Sequence, residues 1–197
     1  MAITNGYCTL ADVKAALRLT DNVDDALLEQ AIEGSSRRID GYTGRFFYQK
    51  SATIRLFAQD PWNQPVQDLV SITELRTDDN GDGTFSDVWS ASDYFLEPTN
   101  ATLQSRPYNR ICANSNGKTF PMQFAPPQPL VQVNGVWGWS AIPDDVNQAC
   151  LLLSIRSFAR LNAALGVVGF ADMAIQVRSI DPDVRDLLSP YTVIGFA

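Results

Sequence analysis

The 197-residue chain has no histidine. That absence removes Ser-His-Asp and Cys-His nucleophile activation and every His-based zinc or iron site. Cysteine is scarce as well. Cys8, Cys112 and Cys150 are far apart and never form a C-x-x-C pair, so neither a disulfide framework nor a thiolate metal knuckle is expected. They read as reduced thiols, and Cys150, inside the apolar run ACLLLSI, reads as a small buried hydrophobe. No stretch reaches the ~18 apolar residues of a membrane span. MAITNGYCTLADV lacks the basic patch and apolar core of a secretion signal, so neither a membrane partner nor export is expected. Positive charge is in deficit, with 15 Lys+Arg against 22 Asp+Glu and a net charge of -7, which excludes a general attraction to nucleic-acid phosphates. GVVGF lacks the spacing and the Lys-Ser/Thr of a phosphate-binding loop, and no cofactor is expected.

What is present is a globular composition, 45% hydrophobic and 19% charged, long enough to bury a sizeable core without metals or disulfides. Thr9 and Asp12 have capping-box spacing before Leu10, Val13 and Leu17, which predicts a short helix from about Leu10 to Leu19. TDNVDD supplies a break and a second N-cap near Asn22. Leu27, Leu28, Ala31, Ile32, Ser35, Ile39 and Tyr42 then mark one face of a helix ending near Gly44. From Phe46 to Trp139 the texture becomes β-rich, with strands expected at ATIRLF, VSITELR, GTFSDVW, DYFLE and LVQVNGVW. The stretch from Pro98 to Pro129 reads as irregular.

Helix returns at Ile142, with Pro143 at its first position and Asp144 and Asp145 at the positive end of its dipole. This helix is apolar around much of its circumference and needs more than one neighbour: the first two helices or another subunit. A stop at Gly166, a strand AIQVRSI and a short helix opening at Asp181-Pro182-Asp183 and ending at Pro190 complete the plan. The expected fold is α+β, a small helical bundle of two N-terminal helices plus one long C-terminal helix, with a β-rich insertion. It is expected as a single composite domain over 1–197: helical parts 8–45 and 141–190, the insertion 46–140, and a tail 190–197.

One motif suggests metal chemistry. Asp78, Asn80, Asp82 and Gly83 occupy the first, third, fifth and sixth places of a calcium loop, but the twelfth place, where a bidentate Glu belongs, is Trp89. A hairpin turn between VSITELR and GTFSDVW explains the same residues without a metal. The carboxylate pairs Asp24-Asp25, Asp144-Asp145 and Asp181/Asp183 all sit at expected helix starts, where capping accounts for them, so no catalytic residue is assigned. Arg37-Arg38 reads as a solvated or interface-bridging pair. The tail Tyr191, Val193, Ile194 and Phe196 is apolar at a chain end and suits either its own core or strand addition to a partner.

Three segments carry a resemblance: YCTLADVKAALRL with DDALLEQAIEGSSRRIDGYTGRFF, then VQVNGVWGWSAIPDDVNQACLLLSIRSFARL, then DPDVRDLLSPY. In order and spacing they resemble the head-tail connector (adaptor, head-completion) proteins of tailed bacteriophages. The resemblance implies a structural virion protein, not an enzyme, assembled in the host bacterial cytoplasm and lodged in the neck. It implies a ring of about twelve copies beneath the portal, closed through heterologous interfaces. The ring extends a channel through which DNA passes without sequence-specific contact, and it docks a stopper or tail-terminator protein. It also implies portal binding through Pro190, Tyr191, Thr192, Val193, Ile194, Gly195, Phe196 and Ala197. The apolar long helix points to Val146, Cys150, Leu153, Arg156 and Arg160 as the ring interface. The competing readings are a calcium-dependent β-rich binding module and a phage stopper or tail-terminator protein.

Overall fold

The computed structural model describes residues 3–122, 127–162 and 182–193. Among these, four α-helices are α1 (Leu10–Leu17), α2 (Asp25–Thr43), α3 (Asp144–Asn162) and α4 (Pro182–Leu188). Six strands lie between α2 and α3: β1 (Lys50–Leu56), β2 (Asn63–Thr77), β3 (Asp87–Trp89), β4 (Tyr94–Glu97), β5 (Tyr108–Ala113) and β6 (Val131–Trp137). The chain divides into two compact units, Met1–Phe47 with Ile142–Ala197, and Tyr48–Ala141. No described helix is long and apolar enough to cross a membrane.

In the helical unit, the box at α1 forms as its spacing requires. Thr9 Oγ1 accepts from the Asp12 amide at 3.1 Å, and the Thr9 amide donates to the Asp12 carboxylate at 3.1 Å. Arg18, left-handed at φ 56°, ends the helix at Leu17, two residues before the expected stop. α2 takes Asp24 as its N-cap, two residues past Asn22, and ends at Thr43 before Gly44, whose φ of +70° suits a residue without a Cβ. Its inner face is Leu28, Ala31, Ile32, Ser35 and Ile39, whereas Leu27, expected on that face, is 43% exposed. α3 packs against α1, α2 and α4, and buries Val146, Ala149, Cys150 and Leu153. Each large aliphatic side chain buried between these helices contributes ~1.5–3 kcal/mol before ordering costs.

The sheet unit is one antiparallel sheet in the order β1-β6-β2-β5-β4, with β3 pairing β2. β6 shows period-2 burial, Val131, Val133 and Trp137 inward, as expected of a strand with one face on a core. At Gly135 a Cβ would lie 2.3 Å from the Ser71 carbonyl oxygen, so only glycine permits β2 and β6 to approach there. β2 runs 15 residues and changes partner midway: its first half pairs with β5 and its second with β6 and β3. The change coincides with register shifts around Asp68, left-handed at φ 47°. The core is aromatic. Trp89 stacks on Phe120 at 4.7 Å and donates from Nε1 to Thr77 Oγ1 at 3.1 Å, and Trp137 Nε1 donates to the Ala52 carbonyl at 2.9 Å.

The expected fold class needs correction. The helices are not a bundle built on one long C-terminal helix: α2 and α3 are equal at 19 residues each, and α1 and α4 add 8 and 7. The strands are not an appendage of such a bundle either. They close a six-stranded sheet with its own buried face, Leu69, Leu75, Ile111, Val131, Val133 and Trp137, and form a substantial β-rich part. The expectation failed at β5 and the first half of β2. Both lie in polar, Pro-bearing sequence whose strand character comes from ladder partners and not from alternation. Of GTFSDVW only Asp87–Trp89 is strand. Pro190 does not end the terminal helix outright, because a single 3-10 turn, Ser189–Tyr191, carries it onward. The stop at Gly166 and the strand AIQVRSI lie outside the described residues.

Candidate functional site

The loop after β2 is organised by one carboxylate. Asp78, 1% exposed, accepts from the amides of Gly81 (2.8 Å), Asp82 (3.3 Å) and Gly83 (2.7 Å), and Asp82 accepts from the Thr84 amide at 2.8 Å. These oxygens satisfy backbone donors, and the flanking elements are the strands β2 and β3. No group of three or more His, Cys, Asp or Glu able to hold a metal occurs among the described residues. The arrangement of Asp78, Asn80 and Asp82 has the chemistry of a turn.

A buried cluster ties the N-terminal segment to α2 and α3. Cys8 Sγ lies 3.3 Å from Cys150 Sγ, with Ser36 Oγ 3.4 Å from Cys150 and Ser154 Oγ 3.9 Å from both sulfurs. Ser36 donates to the Ile32 carbonyl and Ser154 to the Cys150 carbonyl, so neither hydroxyl proton is left to stabilise a Cys150 thiolate. The hydrogen bond to Cys150, reinforced by burial, pushes the Cys8 thiol well above its ordinary range. Beside this cluster the Tyr7 hydroxyl bonds the Asp40 carboxylate and accepts from the Phe47 amide at 2.8 Å. Burial raises the Tyr7 phenol, and it raises Asp40 against the opposing pull of Tyr7 and Arg37. The Asn147 amide group donates to the Tyr7 carbonyl at 2.8 Å, which joins α3 to the same anchor. These contacts position helices, and none forms a nucleophile-base pair.

Of the α3 residues named for the ring interface, Val146, Cys150 and Leu153 are buried inside their own unit. Arg156 is half-buried and Arg160 exposed. The open face of α3 is Asp145, Gln148, Leu152 and Ala159. Between this face and α4 runs a groove of about 560 Å³, with Leu152, Leu187 and Pro190 as apolar lining and Asp145, Asp183 and Asp186 as carboxylates. A smaller recess of about 220 Å³ lies between α2 and α3, lined by Leu27, Gln30, Ala31, Gly34 and Ser157. Sequence reading missed both. The available signal was Leu27, Gly34 and Gly41, spaced by seven, two of them glycines inside a helix that alanine would suit better by ~1 kcal/mol each.

The root of the C-terminal tail is fastened to its own unit. Tyr191 packs edge-on against Phe47 at 5.7 Å and donates to Asp145 Oδ2 at 3.1 Å. The Thr192 hydroxyl donates to the Leu188 carbonyl at 3.3 Å, and the Val193 amide to the Thr43 carbonyl at 2.9 Å. Pro190 is exposed beside the groove. Ile194, Gly195, Phe196 and Ala197 lie outside the described residues.

Comparison with known proteins gives a consistent picture. Residues 7–75, from the Tyr7 anchor through α1, α2 and β1 into β2, match the family described as phage gp6-like head-tail connector protein. A search of curated proteins returns no match. Among solved structures, a chain from the neck of an empty gene transfer agent particle, computed with C6 symmetry, is 23% identical. It covers 100% of this chain and 95% of its own length at a TM-score of 0.59. A chain from the neck of the native particle, computed with C12 symmetry, is 23% identical, covering 100% and 94%, at 0.57. A chain from the virion of the native particle is 22% identical, covering 100% and 95%, at 0.55. At these identities the likeness establishes the fold. Residues 7–75 are thus similar to the phage gp6-like head-tail connector family, and the chain as a whole shares the fold of the gene transfer agent neck chains.

Proposed function

We propose that the chain is a structural subunit of a virion neck. In this reading it is a head-tail connector whose copies form a ring beneath the portal, extend the DNA channel and offer a docking surface to the tail. The observation that carries the reading is the gp6-like segment 7–75 lying within a chain whose full length shares the fold of particle-neck proteins. The ring is supported by the C6 and C12 symmetry of the necks that hold those similar chains, and twelve copies fit the second. The net charge of -7 supports a channel wall to which DNA does not adhere, so genome passage needs no sequence-specific contact. The role is architectural, with a stopper or tail-terminator protein on the tail side and assembly in the host bacterial cytoplasm.

In this proposal the portal is held by the C-terminal tail. Tyr191 and Val193 are bound to their own unit, so the part of the tail offered to the portal is Ile194 to Ala197, with Pro190 to Val193 as its root. Burying Ile194 and Phe196 against a partner would contribute ~1.5–3 kcal/mol each before ordering costs, repeated at every subunit. The test is co-expression with the cognate portal and negative-stain imaging. Portal rings should carry an added annular layer, and truncation after Val193 should leave a folded subunit that no longer adds it. Portals that stay bare with the full chain would overturn the connector reading. Layers that persist with the truncated chain would overturn the role of the tail alone.

A further inference from the structure

We infer that the α3/α4 groove of one subunit receives the exposed face of α2 from the next copy in the ring. This inference rests on the ring reading above and names the surfaces that close it. On α2 the exposed residues Leu27, Gln30, Gly34, Arg37 and Gly41 recur at alternating spacings of three and four, the seam of a left-handed helix pair. On α3 the outward residues Asp145, Gln148, Leu152, Ile155 and Ala159 recur with the same spacing, Ile155 half-buried and the others exposed. Each seam runs over 15 residues, roughly 21 Å of helix from first to last.

The two seams are complementary in shape. At Gly34 and Gly41 a Cβ would meet nothing within 4 Å, so neither glycine is required by its own subunit, although glycine weakens a helix interior. A bare backbone at the centre of one seam matches a bulky side chain at the centre of the other, Leu152, which is 38% exposed. They are complementary in charge as well. Antiparallel pairing sets Gly34 opposite Leu152 and Leu27 opposite Ala159, and brings Arg38, together with Arg37, which pairs with Asp40 at 3.0 Å in its own unit, toward Asp145, Asp183 and Asp186 on the groove rim. Parallel pairing would instead bring those arginines toward Arg156. The groove and the α2 seam are different surfaces of one unit, so the contact is heterologous, the kind that closes a ring.

Mixing two full-length variants tests this, read by mass photometry and sedimentation velocity, with circular dichroism confirming the fold. Gly34→Trp blocks the α2 seam and leaves the groove, whereas Asp183→Lys/Asp186→Lys reverses the groove rim and leaves the seam. Each alone should raise the concentration for half-assembly at least tenfold, and an equimolar mixture should give dimers and no rings, because each pair retains one intact junction. Adding Arg38→Glu to the rim variant should restore assembly. Variants that form rings like the wild type, or a mixture that gives no dimer, would overturn the inference and leave the ring reading standing. A wild-type chain that stays monomeric near millimolar concentration would overturn the ring reading itself. If Gly34→Trp fails to fold, the exposed rim variant and its Arg38→Glu rescue decide the matter alone.

Discussion

The two units are assembled from the chain in different ways. The helical unit is assembled from the two ends of the sequence, and its core holds small polar groups, Ser35, Ser36, Thr43 and Ser154, beside the Cys8 and Cys150 thiols. The sheet unit is continuous in sequence, and its core is aromatic and aliphatic: Trp89, Phe120, Trp137, Ile111 and Val133. The helical core also buries large side chains, among them Tyr7, Phe47, Leu28, Ile32 and Ile39, and hydrogen bonds such as Tyr7 to Asp40 and Asn147 to Tyr7 tie its elements together. The sheet unit likewise buries large side chains and adds the backbone ladder of its strands. The exposed seams and the acidic groove both belong to the helical unit.

The largest expected effect separates the two cores. Phe120→Ala should cost ~3–5 kcal/mol and Leu28→Ala ~2–5 kcal/mol, the usual range for such truncations. Hydrogen exchange on the full chain should show the first opening Tyr48–Ala141 and the second opening the helices. If either variant accelerates exchange equally in both units, the division has no energetic meaning.

A smaller contrast concerns glycine. Gly135→Ala forces a methyl against the Ser71 carbonyl and should cost ~1–3 kcal/mol, as overpacking does. Gly34→Ala meets open space and should stabilise the subunit by up to ~1 kcal/mol. Thermal denaturation of the two variants reads the difference, and equal signs would refute it.

The smallest effect is at the first helix. Thr9→Ala should cost ~0.5–2 kcal/mol. The Thr9 hydroxyl and amide hold the Asp12 carboxyl below its ordinary range. Its contribution is therefore complete above the unfolded value of about 3.9 and fades as pH falls through the lower folded value. The stability gap between wild type and Asp12→Asn, followed by urea denaturation from pH 6 downward, should narrow in that acidic window and stay level above it. A gap that widens on acidification would reverse the assignment.

Legibility followed the same division. α1, α2, α4 and the start of α3 lie within a few residues of their expected positions, because a Thr9-Asp12 box, a Gly44 stop and the acidic starts at Asp25 and Asp144 act over one helical turn. β1, β4 and β6 were visible through alternation and bounding turn residues. β5 and the Pro65 half of β2 were not, because their strand geometry is imposed by partners across the ladder. At the candidate site, the turn chemistry of Asp78 was legible, whereas the α2 seam was obscured when Leu27 was read as core.

By itself, the sequence determined what local physics can determine: helix starts and stops, the hairpin loop at Asp78, the absence of imidazole chemistry and an order of segments resembling head-tail connectors. Only the tertiary structure decided which sides of α2 and α3 are covered, that Cys8 meets Cys150 across 142 residues, and that Asp145, Asp183 and Asp186 share one groove. A capping bond closes a loop of three residues at little entropic cost and is written where it acts. The choice of buried face depends on which distant segments repay a long loop closure by removing the most apolar surface from water, a sum over the whole chain that no window of sequence contains.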